Sequence, residues 1–309
     1  MGRDNLLYVL KVLGLVLVMS YVVDKIIFFA FNQISDKVYT GQSIGKLNHF
    51  LKLKDSLDWI VLGSSRANHN VDPSRLAPNS FNMGIDGRQI SYCAALIKML
   101  PTDKHQTLLL QVDPLSAVSK SYDGSDLRAL CTKYNRNKAI KTEIDRMGQN
   151  NPFQRFFWSL SYNGMIMGIL KNYFRPGYNY HTYKGYDPIY PTDQQQKIFQ
   201  TVLARKKNMD CGLPAINPIY IDALRDVAVY CKKNNKKLIV YSSPEYADVC
   251  KQDDVLLNDL MKGLGIEYHN MTDYFRNNNN IKYWKDETHL SHTGAMLFTD
   301  ALKIKLGLK

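Results

Sequence analysis

The chain has 309 residues, 45% of them hydrophobic and 22% charged, which suits one large domain or two small ones with a sizeable core. Lys and Arg number 40 against 28 Asp and Glu, but the excess is spread through short runs such as "KKNNKK" and "ARKKN". No zinc-finger, helix-turn-helix or RNP pattern accompanies it, which argues against nucleic acid as a partner; a basic surface facing anionic lipid or glycan accounts for the charge.

The first element is "LLYVLKVLGLVLVMSYVV", residues 6–23, with Lys11 as its one charge; after Asp24 and Lys25 comes "IIFFAF". One helix through both runs would be roughly 39 Å long at 1.5 Å per residue, against a hydrocarbon core of ~30 Å. Lys11 lies near one end, where its stem can snorkel to the interface. The apolar region is long for a cleaved signal peptide and no A-x-A site follows it. A buried core helix would not need so uniform a face. The expectation is an uncleaved anchor over residues 1–34, single-pass in the cell membrane. The flanking charges do not decide its orientation, and an extracytoplasmic main domain is adopted as the usual outcome for such an anchor.

From about residue 35 the pattern alternates between strand and helix. "LDWIVLG" (57–63), "QTLLLQVD" (106–113) and "KKLIVYSSP" (236–244) are continuous apolar runs ending in turn residues, as buried parallel strands are. "NSFNMGIDG" (79–87) is a short strand breaking into a glycine loop, and "IEYHNMT" (266–272) a further short strand. Helices are expected in "RQISYCAALIKML", "NPIYIDALRDVAVYCKK" and "DDVLLNDLMKGLG", the second opened by Asn217 before Pro218. The alternation predicts an α/β domain over 35–309, a parallel sheet with helices on both faces.

An insert at about 115–215 separates the "QTLLLQVD" and "KKLIVY" runs. It contains "NPFQRFFWSLSYNGMIMGILKNYF" (151–174), which has the pattern of an amphipathic helix. Packing on the domain is its plain reading, and a membrane- or partner-facing surface the sharper one. "RPGYNYHTYKGYDPIYPTD" after it is an aromatic loop. Five cysteines, at 93, 131, 211, 231 and 250, show neither C-x-x-C nor metal-ligand spacing and are too few for a disulfide framework. They read as buried small hydrophobes. A single bridge, of which Cys211–Cys250 is one option, is permitted outside the cytoplasm.

The chemistry begins at the far end, in "KDETHLSHTGAMLFTDALKIKLG" (285–307). Asp286 and His289 stand three apart before a last helix that Ser291 can cap and whose apolar face includes Ala295, Phe298, Ala301 and Leu302. A D-x-x-H turn lets the carboxylate fold onto imidazole Nδ1–H, which frees Nε2 to take a proton from a serine. Ser64 and Ser65 follow the first strand in "VLGSS", and "NMGIDG" follows the second. "GSSRA" is not the G-x-S-x-G elbow of the α/β-hydrolases, which disfavours that fold.

With these three blocks in order, the chain resembles the SGNH (GDSL-type) hydrolase superfamily over about residues 56–309. The resemblance implies a three-layer, flavodoxin-like parallel sheet. It makes Ser65 of Gly63-Ser64-Ser65 the nucleophile, with His289 the base and Asp286 its orienting partner. Asn82-Met83-Gly84-Ile85-Asp86-Gly87 matches the family's second block, so Gly87 would supply an N–H to the oxyanion hole beside that of Ser65. Such a donor is worth ~3 kcal/mol of barrier.

Two departures stand out. Ser64 replaces the family's aspartate, and the asparagine that donates to the oxyanion in many members has no counterpart. Asp113 lies near its place and, ionised, cannot donate. Arg66 can lend a donor or form a structural pair with Asp113 or Asp86; Arg66, Asn82 and Asp113 are the candidate substrate contacts. The chain is similar in anchor and incomplete motif set to membrane-anchored SGNH-like proteins that move acyl groups on bacterial surface polymers, in alginate O-acetylation and teichoic-acid D-alanylation. Several of those work with a multi-pass membrane acyltransferase.

The expected function is a serine-dependent O-acyl esterase or acyltransferase acting on acyl groups, acetyl foremost, of a cell-envelope glycan, with no cofactor. The alternative is a non-catalytic glycan-binding or scaffold protein that partners a membrane acyltransferase. A metal site from Asp286, His289 and His292 lacks the i, i+4 pairing of H-E-x-x-H. His69 reads as a cleft-edge residue.

Overall fold

Each of the five expected strands forms: β1 Trp59–Leu62, β2 Ser80–Asn82, β3 Gln106–Gln111, β4 Lys236–Ser242 and β5 Glu267–Asn270. The structure is a computed structural model and describes residues 2–205, 211, 214–247 and 250–308. The chain divides into two compact units, Met1–Asn48 with Arg128–Tyr178 and His49–Leu127 with Asn179–Lys309.

The second unit holds the sheet. Its strands are all parallel in the order β2-β1-β3-β4-β5, a doubly wound order that changes direction between β1 and β3. Ile60, Val61 and Leu62 of β1 and Leu108, Leu109 and Leu110 of β3 are wholly buried. Helices on both faces are why these runs are continuous rather than alternating. On one face the helix His292–Lys305 packs Ala295, Phe298 and Leu302 against Val61, Leu109, Ile239 and Tyr241. Each such large apolar side chain contributes about 1.5–3 kcal/mol relative to exposure. Ser291 caps that helix as expected, its Oγ accepting the Gly294 N–H at 3.2 Å, whereas Ala301 is only half-buried.

Ile90–Ile97 and Pro218–Lys233 cover the opposite face, and Asn217 caps the latter by accepting the Ile219 N–H at 2.9 Å. The edge of β2 is closed by the tyrosine-rich loop, where the Asn82 N–H donates to the Lys184 carbonyl at 2.8 Å. Cys211 and Cys250 form a disulfide, while Cys93, Cys131 and Cys231 are free and buried.

His49 of this unit is 4% exposed, with its ring 5.1 Å from Phe81 and 6.3 Å from Tyr183. Burial, with Lys52 and His181 adding repulsion, pulls its pKa from 6.5 to about 4. The unfolded chain therefore takes up a proton near pH 6.5 that the folded chain refuses, so this stabilisation is full above that pH and drains as pH falls toward about 4. Unfolding free energy measured across this window should decline in the wild type and decline less in His49→Phe. Parallel slopes would rule the assignment out.

In the first unit the helix Arg3–Ser35 is long and apolar enough to cross a membrane, and its residues 6–23 are exposed. The segment 151–174 is not the single helix its period suggests. It forms Pro152–Phe156, a 3-10 turn at Trp158–Tyr162 and Ile166–Phe174. The reason is a remote carboxylate: Asp24 accepts the N–H groups of Trp158 at 2.8 Å and Ser159 at 2.9 Å, while Phe157 is extended. The expected insert is thereby divided, 128–178 grouping with the first unit and the chain from 179 with the second. Its residues 206–210 and 212–213, including part of "ARKKN", lie outside the described residues.

Candidate active site

The chain leaves β1 through Gly63, whose φ of +146° and contacts make glycine necessary: a Cβ there would lie 2.7 Å from Gln111 Cβ and 2.9 Å from Ala67 Cβ. Ser64 then starts the short helix Ser65–Asn70. Its Oγ accepts the Arg66 N–H at 3.2 Å, and its carbonyl accepts those of Ala67 at 3.1 Å and Asn68 at 3.0 Å. The Ser65 N–H is left with no acceptor among the described residues. Ser64 is itself held to the end of β3, where Gln111 Oε1 accepts from its hydroxyl at 2.8 Å and its N–H at 3.2 Å. Ser64 is thus an anchor for the turn.

Ser65 Oγ lies 2.7 Å from His289 Nε2, and His289 Nδ1 lies 2.9 and 3.0 Å from the two carboxylate oxygens of Asp286. Asp286 also accepts the N–H groups of Thr288 at 3.0 Å and His289 at 2.9 Å, which closes the D-x-x-H turn. Burial opposes its charge, but the hydrogen bonds and the His289 ring outweigh that and hold its carboxyl well below the usual carboxylate range. A carboxylate facing Nδ1 puts the ring proton there, leaving Nε2 as acceptor for the serine hydroxyl. Asn70, at the far end of the helix Ser65–Asn70, grips the same loop: it accepts the Leu290 N–H at 2.9 Å and donates to the Thr288 carbonyl at 3.2 Å.

Gly87 sits in the turn Ile85–Arg88 with φ +69°, exposed, and its N–H has no acceptor among the described residues. Asp86 of that turn accepts from Asn68 Nδ2 at 3.0 Å and lies 3.1 Å from His69 Nε2, so two side chains of the helix Ser65–Asn70 clamp it. His69 lies beside His289. Its ring is 5.8 Å from that of His289, and its Nδ1 is 2.7 Å from the Asp187 carbonyl. Asp187 in turn accepts the Tyr183 hydroxyl at 2.7 Å, which ties in the tyrosine-rich loop.

The three candidate substrate contacts, Arg66, Asn82 and Asp113, are each held by other parts of the protein. Arg66 is 3% exposed and lies 2.8 Å from Glu245 and 3.3 Å from Asp113, not against Asp86. Its other nitrogen donates to the carbonyls of Ser243 at 2.6 Å and Pro244 at 3.1 Å. Burial disfavours its charge, but the two carboxylates prevail and keep it protonated. Arg66 thus forms the structural pair with Asp113, with Glu245 as a second carboxylate, while its buried Nε has no partner among the described residues.

Asn82 is wholly buried, donating to the Ala67 and Val71 carbonyls at 2.7 Å each and accepting the Gly84 N–H at 2.8 Å, so it fixes backbone. Asp113 caps the turn at Pro114–Ala117 and neutralises Arg66. His292 meets the Tyr186 hydroxyl at 3.1 Å, and the described residues form no group of three metal-ligating side chains.

Sequence reasoning missed Gln111, Glu245 and Asn70. Gln111 alone carried a signal, a polar residue closing the leucine run at the β1/β3 switch point. No known family model matches the chain, and no curated protein matches it.

Proposed function

We propose that this chain is an SGNH-like serine enzyme of acyl transfer, an O-acyl esterase or acyltransferase, anchored in a cell membrane by its N-terminal helix. Its substrate would be an acylated cell-envelope glycan. The observation that carries this reading is the hydrogen-bonded series Ser65–His289–Asp286 at 2.7 and 2.9 Å.

In the first step Ser65 Oγ bonds to the acyl carbonyl carbon while its proton passes to His289 Nε2. Asp286 stabilises the imidazolium. The N–H groups of Ser65 and Gly87 receive the oxyanion. Collapse expels the sugar oxygen, which takes the proton from His289 and leaves an acyl-Ser65. Water then gives hydrolysis and a second hydroxyl gives transfer. The Cys211–Cys250 disulfide favours an oxidising compartment, as an extracytoplasmic main domain would have. The glycan rests on the resemblance of the motifs.

Treating the full chain with a fluorophosphonate should place an adduct on Ser65 by mass spectrometry, lost in Ser65→Ala and in His289→Ala. A folded protein that takes no adduct would instead be a glycan-binding or scaffold partner of a membrane acyltransferase.

The clamp on the Gly87 turn has its own test. Asp86→Ala frees that turn from Asn68 and His69 and should lower kcat on an activated ester on the order of tenfold, part of the ~10²–10³ that one oxyanion donor supplies. KM should change little, and an unchanged kcat would show that the turn needs no clamp.

A further inference from the structure

In the unit formed by Met1–Asn48 and Arg128–Tyr178, a groove lies beside the N-terminal helix, lined by Leu17, Pro152, Phe153, Phe156 and Phe157. Phe153 is 70% exposed and Phe156 38%, although Phe156 already stacks on Tyr21 at 5.0 Å. Large aromatic side chains left open to water cost free energy unless something apolar covers them. The groove is continuous with the exposed apolar stretch of the helix, so the medium that covers one reaches the other.

We propose that Pro152–Phe157 is a wedge embedded in the same bilayer that the N-terminal helix crosses, with lipid acyl chains filling the groove against Leu17. Lys25 sets the depth. Its ammonium sits 4.2 Å from the Tyr21 ring and 4.4 Å from the Trp158 ring, a cation and two amphipathic aromatics at one level, as at a membrane interface.

Tyr21 and Leu17 precede Lys25 by one and two helical turns, about 6 and 12 Å at 1.5 Å per residue. The wedge that touches them therefore lies at about the 5–10 Å depth of interfacial helices. Between Asp145 and Asp187 the chain has no carboxylate; Arg155, inside the wedge, is paired with Asp145 at 3.3 Å, while Lys171 and Arg175 beyond it supply charge that suits anionic headgroups. Asp24 answers the cost of placing polar backbone this deep: its buried carboxylate accepts the N–H groups of Trp158 and Ser159 just where the wedge ends.

The test uses the full chain in nanodiscs containing anionic lipid, with a nitroxide on Phe153→Cys or Phe156→Cys. The free native cysteines are buried, and the unsubstituted protein supplies the labelling background. Collision with oxygen should exceed collision with a water-soluble nickel chelate at both positions, as at Leu13→Cys in the span and opposite to Leu297→Cys on an exposed helix face. A ratio like that of Leu297→Cys at 153 and 156 overturns the proposal. Shelter from both reagents overturns it too, and shows that protein covers the groove. A water-like ratio at Leu13→Cys removes the bilayer from the helix and the wedge alike.

Discussion

Alanine in place of His289 is expected to lower turnover of an activated ester by about 10⁴–10⁶-fold, and alanine in place of Ser65 by a similar factor. The two side chains act as one unit through their 2.7 Å hydrogen bond, so the double variant should be no slower than either single one. Asp286→Asn presents Nδ1 with a group that can donate as well as accept. It should cost about 10⁴-fold by favouring the wrong tautomer while the loop keeps its shape. Steady-state rates for the four variants, with melting curves alongside, decide this. Losses that multiply in the double variant would show two residues working independently.

The second large effect is on stability. Arg66→Met removes the cation between Glu245 and Asp113 and the donors to the Ser243 and Pro244 carbonyls. Breaking such a buried arrangement from one side costs about 3–5 kcal/mol, because two carboxylates are left facing each other. Denaturant titration of the wild type and the variant measures it. Adding Glu245→Gln to Arg66→Met should recover part of the loss, and a further loss would mean that Glu245 has another duty. Since Arg66 directly follows Ser65, fluorophosphonate labelling of the double variant would also report whether the nucleophile keeps its place.

How much of this was legible beforehand depended on distance along the chain. The strands could be read because β1 and β3 are buried on both faces, which makes "WIVL" and "QTLLLQ" apolar throughout their centres. Ser65, Asp286 and His289 could be read because each sits in a short local pattern. Arg66 could not be placed, since Asp113 and Asp86 competed for it and the carboxylate at 2.8 Å, Glu245, follows β4 in a stretch with no marking of its own. The break in 151–174 was equally hidden: helical period describes neighbours three and four residues apart, whereas Asp24 captures the Trp158 amide from 134 residues away. Asn70 sits in no such pattern, and only folding shows it holding the loop of His289.

That last contact bears on when the chain can act. Ser65 precedes His289 by 224 residues, and the loop carrying His289 is secured by Asn70 and by the final helix packed on the sheet. A chain made from its N-terminus carries Ser65 long before anything can activate it. On the function proposed above, acyl chemistry would start only after the last segment has docked, and a half-made chain would be chemically silent.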